Sequence, residues 1–389
     1  MSANTDFIPF ARPSIGPEEE RAVLEVLRSH WITTGRVARA FEEEFAAFIG
    51  VRRALAVNSA TSALLLALEA FGVGAGDKVA TSVYTFASDA AVVRHLGAEV
   101  AFCDISRDDY NISPEALEAL LAGDRSIKAV IATHVGGMPC RMDELLGICR
   151  KHGARLVEDA AHAFPLRLPG GFAGTLGDAG IYSFYATKTI TTAEGGMVVA
   201  RDEAVLRRMS TMRLHGFDRE AWDRYTSKTS SWRYDVVEAG YKCNLPDILA
   251  AIGREQLKKA ELFREQRRAV ADRYLESFGG HPALVCPPSH PEHAWHLFSL
   301  RLRPGALRLG RDEFADLLQA AGIGISVHFI PLHMMSYWSK RYGLSDSDFP
   351  EARDKFLSTI SLPIWQGMSS EQTEAVVEAA LALARGERR

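Results

Sequence analysis

The chain has 389 residues, 47% of them hydrophobic and 24% charged, which is an ordinary globular composition with length for two or three domains and a large core. A formal net charge of −4 speaks against a nucleic-acid partner, and no run approaches the roughly 20 apolar residues of a membrane span. The five cysteines (Cys103, Cys140, Cys149, Cys243, Cys286) form no CxxC pair and no cluster with histidines, so a reduced, cytoplasmic protein without a metal site is expected. The first residues, MSANTDFIPFARPSIG, contain no apolar stretch of the secretory kind.

From about residue 51 short apolar runs alternate with helical patterns. Strands are predicted at 53–58, 78–82, 99–104, 128–133 and 155–158. Helices are predicted at 62–71, 89–96, 114–121 with Ser113 as N-cap, and 142–151. Further strands are expected at 181–185 and 197–200. Such alternation implies an α/β fold: a mainly parallel sheet with helices on both faces. After about residue 246 the character changes. One long amphipathic helix is predicted at 246–278, strands at 296–303 and 324–329, and helices at 311–321 and 370–384. The expected organisation is a large unit over 1–253 and a smaller C-terminal α/β unit over 254–389.

Ligands of parallel sheets bind at the carboxyl ends of the strands. Four motifs fall there: 58–61, 84–86, 159–162 and 183–188. Lys188 lies on a short polar turn between two apolar strands, followed by Glu194-Gly195-Gly196. A lysine held so has few rotamers and loses water, which lowers its pKa and frees its amine for imine chemistry. Asp159 ends the strand in ARLVEDAAHA. Alone it reads as a helix cap or an ion-pair partner. With Lys188 it fits pyridoxal 5′-phosphate (PLP): the carboxylate keeps the pyridine nitrogen protonated and the lysine holds the aldehyde. The segment Asn58-Ser59-Ala60-Thr61-Ser62 precedes the helix ALLLALEA, and small residues there leave N–H groups open to a phosphate. Ser183 is a second phosphate donor. Phe86 is placed to lie on the cofactor ring, and His162 to face it. Singly, the serines read as a cap, Phe86 as core and His162 as structural.

Taken in order, these motifs resemble the DegT/DnrJ/StrS sugar-nucleotide aminotransferases, which are fold-type I PLP-dependent transferases. The resemblance spans nearly the whole chain: WITTG at 31–35, NSATSALLLAL at 58–68, VEDAAHA at 157–163, SFYATKTITTAEGG at 183–196, HGF at 215–217, GYKCNLPDILAAIG at 240–253, AWHLF at 294–298 and VHFIPLH at 327–333. WITTG, EDAAHA, ITTAEGG, GYKCNLPD and AWHLF lean toward members that aminate a UDP-linked 4-keto-pentose. FIPLH departs from those and is more similar to makers of 4-amino-6-deoxysugars.

The resemblance implies roles. Lys188 would hold the cofactor and shuttle protons, Asp159 would pair with the ring nitrogen, and Phe86 would stack on the ring. His162 would approach the ring hydroxyl, and Ala60, Thr61 and Ser183 would hold the phosphate. Asn244 would reach the phosphate of a partner subunit, so active sites would be shared in a homodimer. Many members have Asn and Arg where this chain has Lys242 and Asn244, a Lys/Asn pattern the pentose-type members share. Thr33, Thr34 and His328 would face the substrate. The implied partners are L-glutamate and a nucleotide-linked keto-sugar, with an amino sugar nucleotide as product. A PLP- or PMP-dependent sugar dehydratase would replace the lysine with histidine, and a catalytically silent regulatory member would lack the lysine or the aspartate. Lys188 and Asp159 stand against both.

Overall fold

A computed structural model describes residues 7–218 and 234–386. Its first nine strands are β1 (Leu55–Val57), β2 (Lys78–Ser82), β3 (Glu99–Cys103), β4 (Ile127–Thr133), β5 (Arg155–Asp159), β6 (Arg167–Leu168), β7 (Gly171–Phe172), β8 (Ala179–Ser183) and β9 (Gly196–Ala200). β6 and β7 form a separate hairpin. The other seven make the main sheet, in the spatial order β1-β9-β8-β5-β4-β2-β3. The central strands β3, β2, β4, β5 and β8 are parallel, and β9 runs antiparallel between β8 and β1. The mainly parallel sheet expected from the alternating pattern is thus present, with one reversed strand.

Helices α1 (Pro17–Arg28), α2 (Arg36–Ile49), α3 (Ala60–Ala70), α4 (Ser88–His95), α5 (Pro114–Gly123), α6 (Met142–His152), α7 (Glu203–Met212) and α8 (Asp247–Lys258) surround this sheet. Strand residues alternate between its faces. Ile131, Val157, Ile181 and Val198 pack with Leu64 of α3, Val92 of α4 and Met209 of α7. Val130 and Leu156 pack with Leu117 of α5 and Leu145 of α6. Tyr182 and Met197 pack with Phe41 and Phe45 of α2. Each fully buried Leu or Ile contributes about 1.5–3 kcal/mol over an exposed one, so burial on both faces makes the strand ends a rigid platform. Ser59 caps α3 by accepting from Ser62 N, and Ser113 caps α5 by accepting from Ala116 N, both at 3.1 Å.

Helix α9 (Ala260–Phe278) leads into a second, antiparallel sheet of β10 (Leu284–Val285), β11 (Phe298–Leu302) and β12 (Thr359–Leu362). Helices α10 (Arg311–Ala320), α11 (Ser336–Tyr342), α12 (Pro350–Ser358) and α13 (Ser370–Ala384) complete this part. Its core unites Tyr274, Phe278, Phe298, Phe314, Leu318 and Val376, and Ile8 from the start of the chain joins it. Ile8 N donates to Gly322 O and Gly324 N donates to Ile8 O.

Two expectations are corrected. The single helix predicted for 246–278 is two, because the backbone leaves helical geometry at Lys259 (φ −100°, ψ −1°). There the chain turns from α8, packed on α1 and α2, to α9, packed on α13. The strand predicted for 324–329 is an extended segment with a lone bridge, Ser326 to Ser361. Ser326, His328 and Phe329 of this segment line the cavity described next, while Ile325 packs on the C-terminal core.

Candidate active site

The carboxyl ends of β1, β2, β4, β5 and β8 share one edge of the main sheet. A cavity of about 390 Å³ lies over it. Its walls bring together Ala60 and Thr61 from the start of α3, Phe86 after β2, and Asp159 and His162 after β5. Ser183 and Lys188 come from the turn after β8, and His328 from the extended segment.

The lysine turn is braced by its own backbone. Phe184 N donates to Gly195 O and Thr192 N to Phe184 O, each at 2.9 Å. Thr191 Oγ1 donates to Phe184 O at 3.0 Å, and Lys188 N donates to Tyr185 O at 2.9 Å. Loss of water around the Lys188 amine pulls its pKa down to about 8. The Asp159 carboxylate works against this, and the Arg267 guanidinium adds to it. Asp159 is buried, and burial pushes its carboxyl well above the usual range, with the nearby Asp89 carboxyl pushing the same way. Its Oδ1 accepts from Ala161 N at 2.8 Å. Such a carboxyl is poised to meet a cationic N–H.

One wall is built of rings. His162 stacks on Phe329 (centroids 5.7 Å, planes 15° apart) and touches His296 at 4.3 Å. Phe10 stacks on His328 at 5.2 Å. Burial drives the imidazoles of His162 and His296 well below their ordinary pKa, and that of His328 to about 4, so all three are neutral near pH 7. Gly136 N–H donates to His162 Nδ1 at 3.2 Å, which leaves the His162 proton on Nε2. Phe86 is 61% exposed, an unusual setting for a phenyl ring that is not awaiting a partner.

The residues fit PLP. Gly196 brings β9 against the start of α3, where an added Cβ would stand 2.7 Å from Ala60 N. Small residues, a helix N-terminus and the Ser59, Thr61 and Ser183 side chains surround space that suits a phosphate. Asp159 and Lys188 flank the same cavity, as a ring nitrogen and an aldehyde at opposite ends of a pyridine require.

Thr33, Thr34 and Asn244 are not on these walls. Asn244 Nδ2 donates to Thr34 Oγ1, and Thr34 Oγ1 donates to Leu245 O at 2.6 Å. Asn244 Oδ1 accepts from Lys242. Asn244, which is buried, and Thr34 form a separate cluster, tied to α2 by Asp247, whose N–H donates to Thr33 O and whose carboxylate accepts from Gly35 N at 2.7 Å and Ala38 N at 2.9 Å. Sequence reasoning missed Asp89, Thr133, Phe10, His296 and Phe329. For His296 a signal existed in AWHLF and for Phe329 in VHFIPLH; Asp89, Thr133 and Phe10 carry no such motif.

The fold and the site define a PLP-dependent aminotransferase. A family model described as the DegT/DnrJ/EryC1/StrS aminotransferase family matches residues 13–381, and the chain belongs to that family. It is 41% identical to the spore coat polysaccharide biosynthesis protein SpsC of Bacillus subtilis, over 98% of both chains. Among solved structures it is similar to the PMP form of Spr1654 from Streptococcus pneumoniae (TM-score 0.91, 28% identity, 98% of this chain and 100% of that one), a protein also solved in a PLP form. It is also similar to PseC of Helicobacter pylori, an aminotransferase involved in the biosynthesis of pseudoaminic acid (TM-score 0.90, 27% identity, 98% and 100% coverage).

Proposed function

We propose that this enzyme is a sugar aminotransferase that moves an amino group from L-glutamate to a nucleotide-linked keto-sugar, of the UDP-4-keto type, leaving 2-oxoglutarate and an amino sugar nucleotide. The observation that carries the reading is the meeting of Lys188, Asp159 and the start of α3 in one cavity. The relatives supply the sugar: SpsC is named for polysaccharide biosynthesis and PseC for pseudoaminic acid biosynthesis.

Bound PLP supplies an electron sink that makes the donor's α-carbon acidic. Lys188 Nζ, with its lowered pKa, would be the base that takes the donor's α-proton and the acid that gives a proton back, in both halves of the reaction. Asp159 would hold the proton on the ring nitrogen. Phe86 would cover the ring, and neutral His162 would offer its Nε2–H to it. Ala60, Thr61 and Ser183 would hold the phosphate, and His328 would face the sugar.

Lys188 is the only lysine or arginine among the described residues that line the cavity. A phosphorylated cofactor, a dicarboxylate donor and a nucleotide diphosphate together need more positive charge than that. We read the deficit as a sign of a homodimer with shared sites, in which Asn244, beside Lys242 and with Thr33 and Thr34, serves the partner's cavity. No helix among the described residues is long and apolar enough to cross a membrane, and all five cysteines are free, which supports a cytoplasmic setting.

The test is to incubate the protein, PLP and L-glutamate with UDP-, dTDP- and GDP-linked 4-keto and 3-keto sugars and follow product mass. One nucleotide sugar should gain an amine in place of its ketone while 2-oxoglutarate accumulates. Lys188→Ala should stop turnover and remove the visible absorbance of lysine-bound cofactor. Equal amination of free keto acids would overturn the sugar reading, and full activity of Lys188→Ala would overturn the assignment of the lysine.

A further inference from the structure

Asp159 has a second carboxyl behind it. Asp89, in the first turn of α4, is fully buried. Thr85 Oγ1 and Thr133 Oγ1 both donate to its Oδ2 at 2.6 Å, and the two hydroxyls lie 3.0 Å apart. Ser88 Oγ is 3.3 Å from its Oδ1. Thr133 is the sheet neighbour of Asp159 across β4 and β5 and its hydroxyl donates to Asp89, so one residue links the two carboxyls, and the Asp89 charge acts on Asp159. No Lys or Arg is paired with Asp89 in the ion pairs of the described residues. The groups that face the pair are the Lys188 amine, which acts on Asp159, and the buried Cys140 thiol, pushed up partly by the Asp159 charge.

Two buried carboxyls set side by side by one threonine do not both ionise, so they share one proton. Nothing in the chemistry of one pyridine nitrogen needs the second acid; one carboxylate suffices to face an N–H. The arrangement places the two groups unequally. Asp159 borders the cavity, while Asp89 is sealed behind it among threonine hydroxyls.

We propose that Asp89 and Asp159 form a one-proton dyad, in which Asp89 is a positioning residue that keeps the proton whenever the cofactor's ring nitrogen stands before Asp159. The ring nitrogen brings its own proton from solvent. The dyad proton stays on Asp89 and is donated to Asp159 across their shared hydrogen bond, so Asp159 meets the ring as an oriented anion and no second buried charge is left. Without a ring, burial and the Asp89 charge both push the Asp159 carboxyl up, which lets it take the shared proton. This rests on the reading of Asp159 as the group that faces the ring nitrogen.

Asp89→Asn is the decisive variant. Asparagine is neutral, fills the same space, accepts from the two threonines and donates an N–H to Asp159. The expected result is PLP affinity and a pH titration of the bound cofactor's absorbance within about threefold and half a unit of the parent. Asp89→Ala removes the donor and is expected to weaken PLP about tenfold or more, the loss of one charge-assisted hydrogen bond. A readout independent of turnover is the infrared carbonyl stretch of a protonated carboxylic acid at neutral pH. It should be present in the parent, with and without PLP, and absent from PLP-bound Asp89→Asn. The proposal is overturned if Asp89→Asn loses PLP as severely as Asp89→Ala, or if the acid band is missing from the parent or survives in the variant. Asp159→Asn separates the underlying reading: parent-like PLP affinity and turnover in that variant would remove Asp159 from the ring nitrogen, whatever Asp89 does.

Discussion

Arg267 Nη2 donates to the carbonyl of Thr187 at 3.3 Å, one residue before Lys188. The guanidinium reaches there from α9, so a side chain of the C-terminal part grips the Lys188 turn of the main sheet. Its other bonds go to Gln366 Oε1 at 3.1 Å and to the carbonyls of Ile364, His296 and Trp295 at 3.0–3.5 Å. Every one of these acceptors is uncharged. Burial alone lowers the Arg267 pKa, to about 10, and its uncompensated charge helps to depress that of Lys188.

Arg267→Met therefore removes both a brace and a field. The Lys188 amine, held down to about 8 by burial and this charge, is expected to bind its proton more tightly, so the midpoint for PLP capture by the apo protein should move to higher pH than in the parent. The direction follows from taking a positive charge away. The rate of rise of visible absorbance after adding PLP, measured across pH, checks it. The carbonyls left unpaired should also cost about 2–4 kcal/mol of stability in denaturant titrations.

Gly196→Ala tests the phosphate site. Its new Cβ would stand 2.7 Å from Ala60 N and 2.9 Å from Ser59 O, both backbone atoms that cannot swing aside. The start of α3 must move, at about 1–3 kcal/mol. Equilibrium titration should show PLP binding weakened by tenfold or more, with pyridoxal, which lacks the phosphate, affected far less.

Phe86→Ala separates binding from folding. The ring is 61% exposed and contributes little to the core. Removing it should leave the melting temperature within a few degrees, yet raise the PLP dissociation constant about tenfold, the scale of one stacking contact. Phe86→Tyr should restore affinity. A large drop in melting temperature would mean that the ring is core after all.

Acid should destabilise the apo protein in a particular window. His296 and His162 are held well below 6.5, and His328 at about 4, by burial. In the unfolded chain they take up protons near 6.5, so below that value the unfolded state binds more protons than the native one. The stability present above pH 6.5 is lost as pH falls toward the native values, by about 1.4 kcal/mol per pH unit for each such histidine. Denaturant titrations over that range should show this slope. His296→Leu should reduce it by one histidine's share. The substitution should cost little at neutral pH, because His296 Nδ1 is a buried atom without a partner.

The alternation of strands and helices, the capped helix starts at Ser59 and Ser113, and the placing of Lys188 and Asp159 at strand ends were all legible in the chain, because each depends on neighbours a few residues away. So was the small-residue segment at the start of α3, which the structure places on the cavity wall. The break at Lys259 was not legible: it marks where one helical stretch changes packing partner, and both halves have helical periodicity.

Sequence alone determined which side chains stand at the ends of which strands, since pleat and period are local. It did not determine which strand ends become neighbours. The order β5-β4-β2 sets Thr133 beside Asp159 and carries the residues after β2, among them Asp89, to the back of the same carboxyl. Phe10, His296 and Phe329 reach the cavity from far apart in the chain, beside Ile8 and Trp295 of the C-terminal core and, for Phe329, a cluster with Val83 and Tyr84. Those meetings arise from burying apolar faces that no short segment can bury alone, and so the proton balance behind Asp159 was decided only by the tertiary fold.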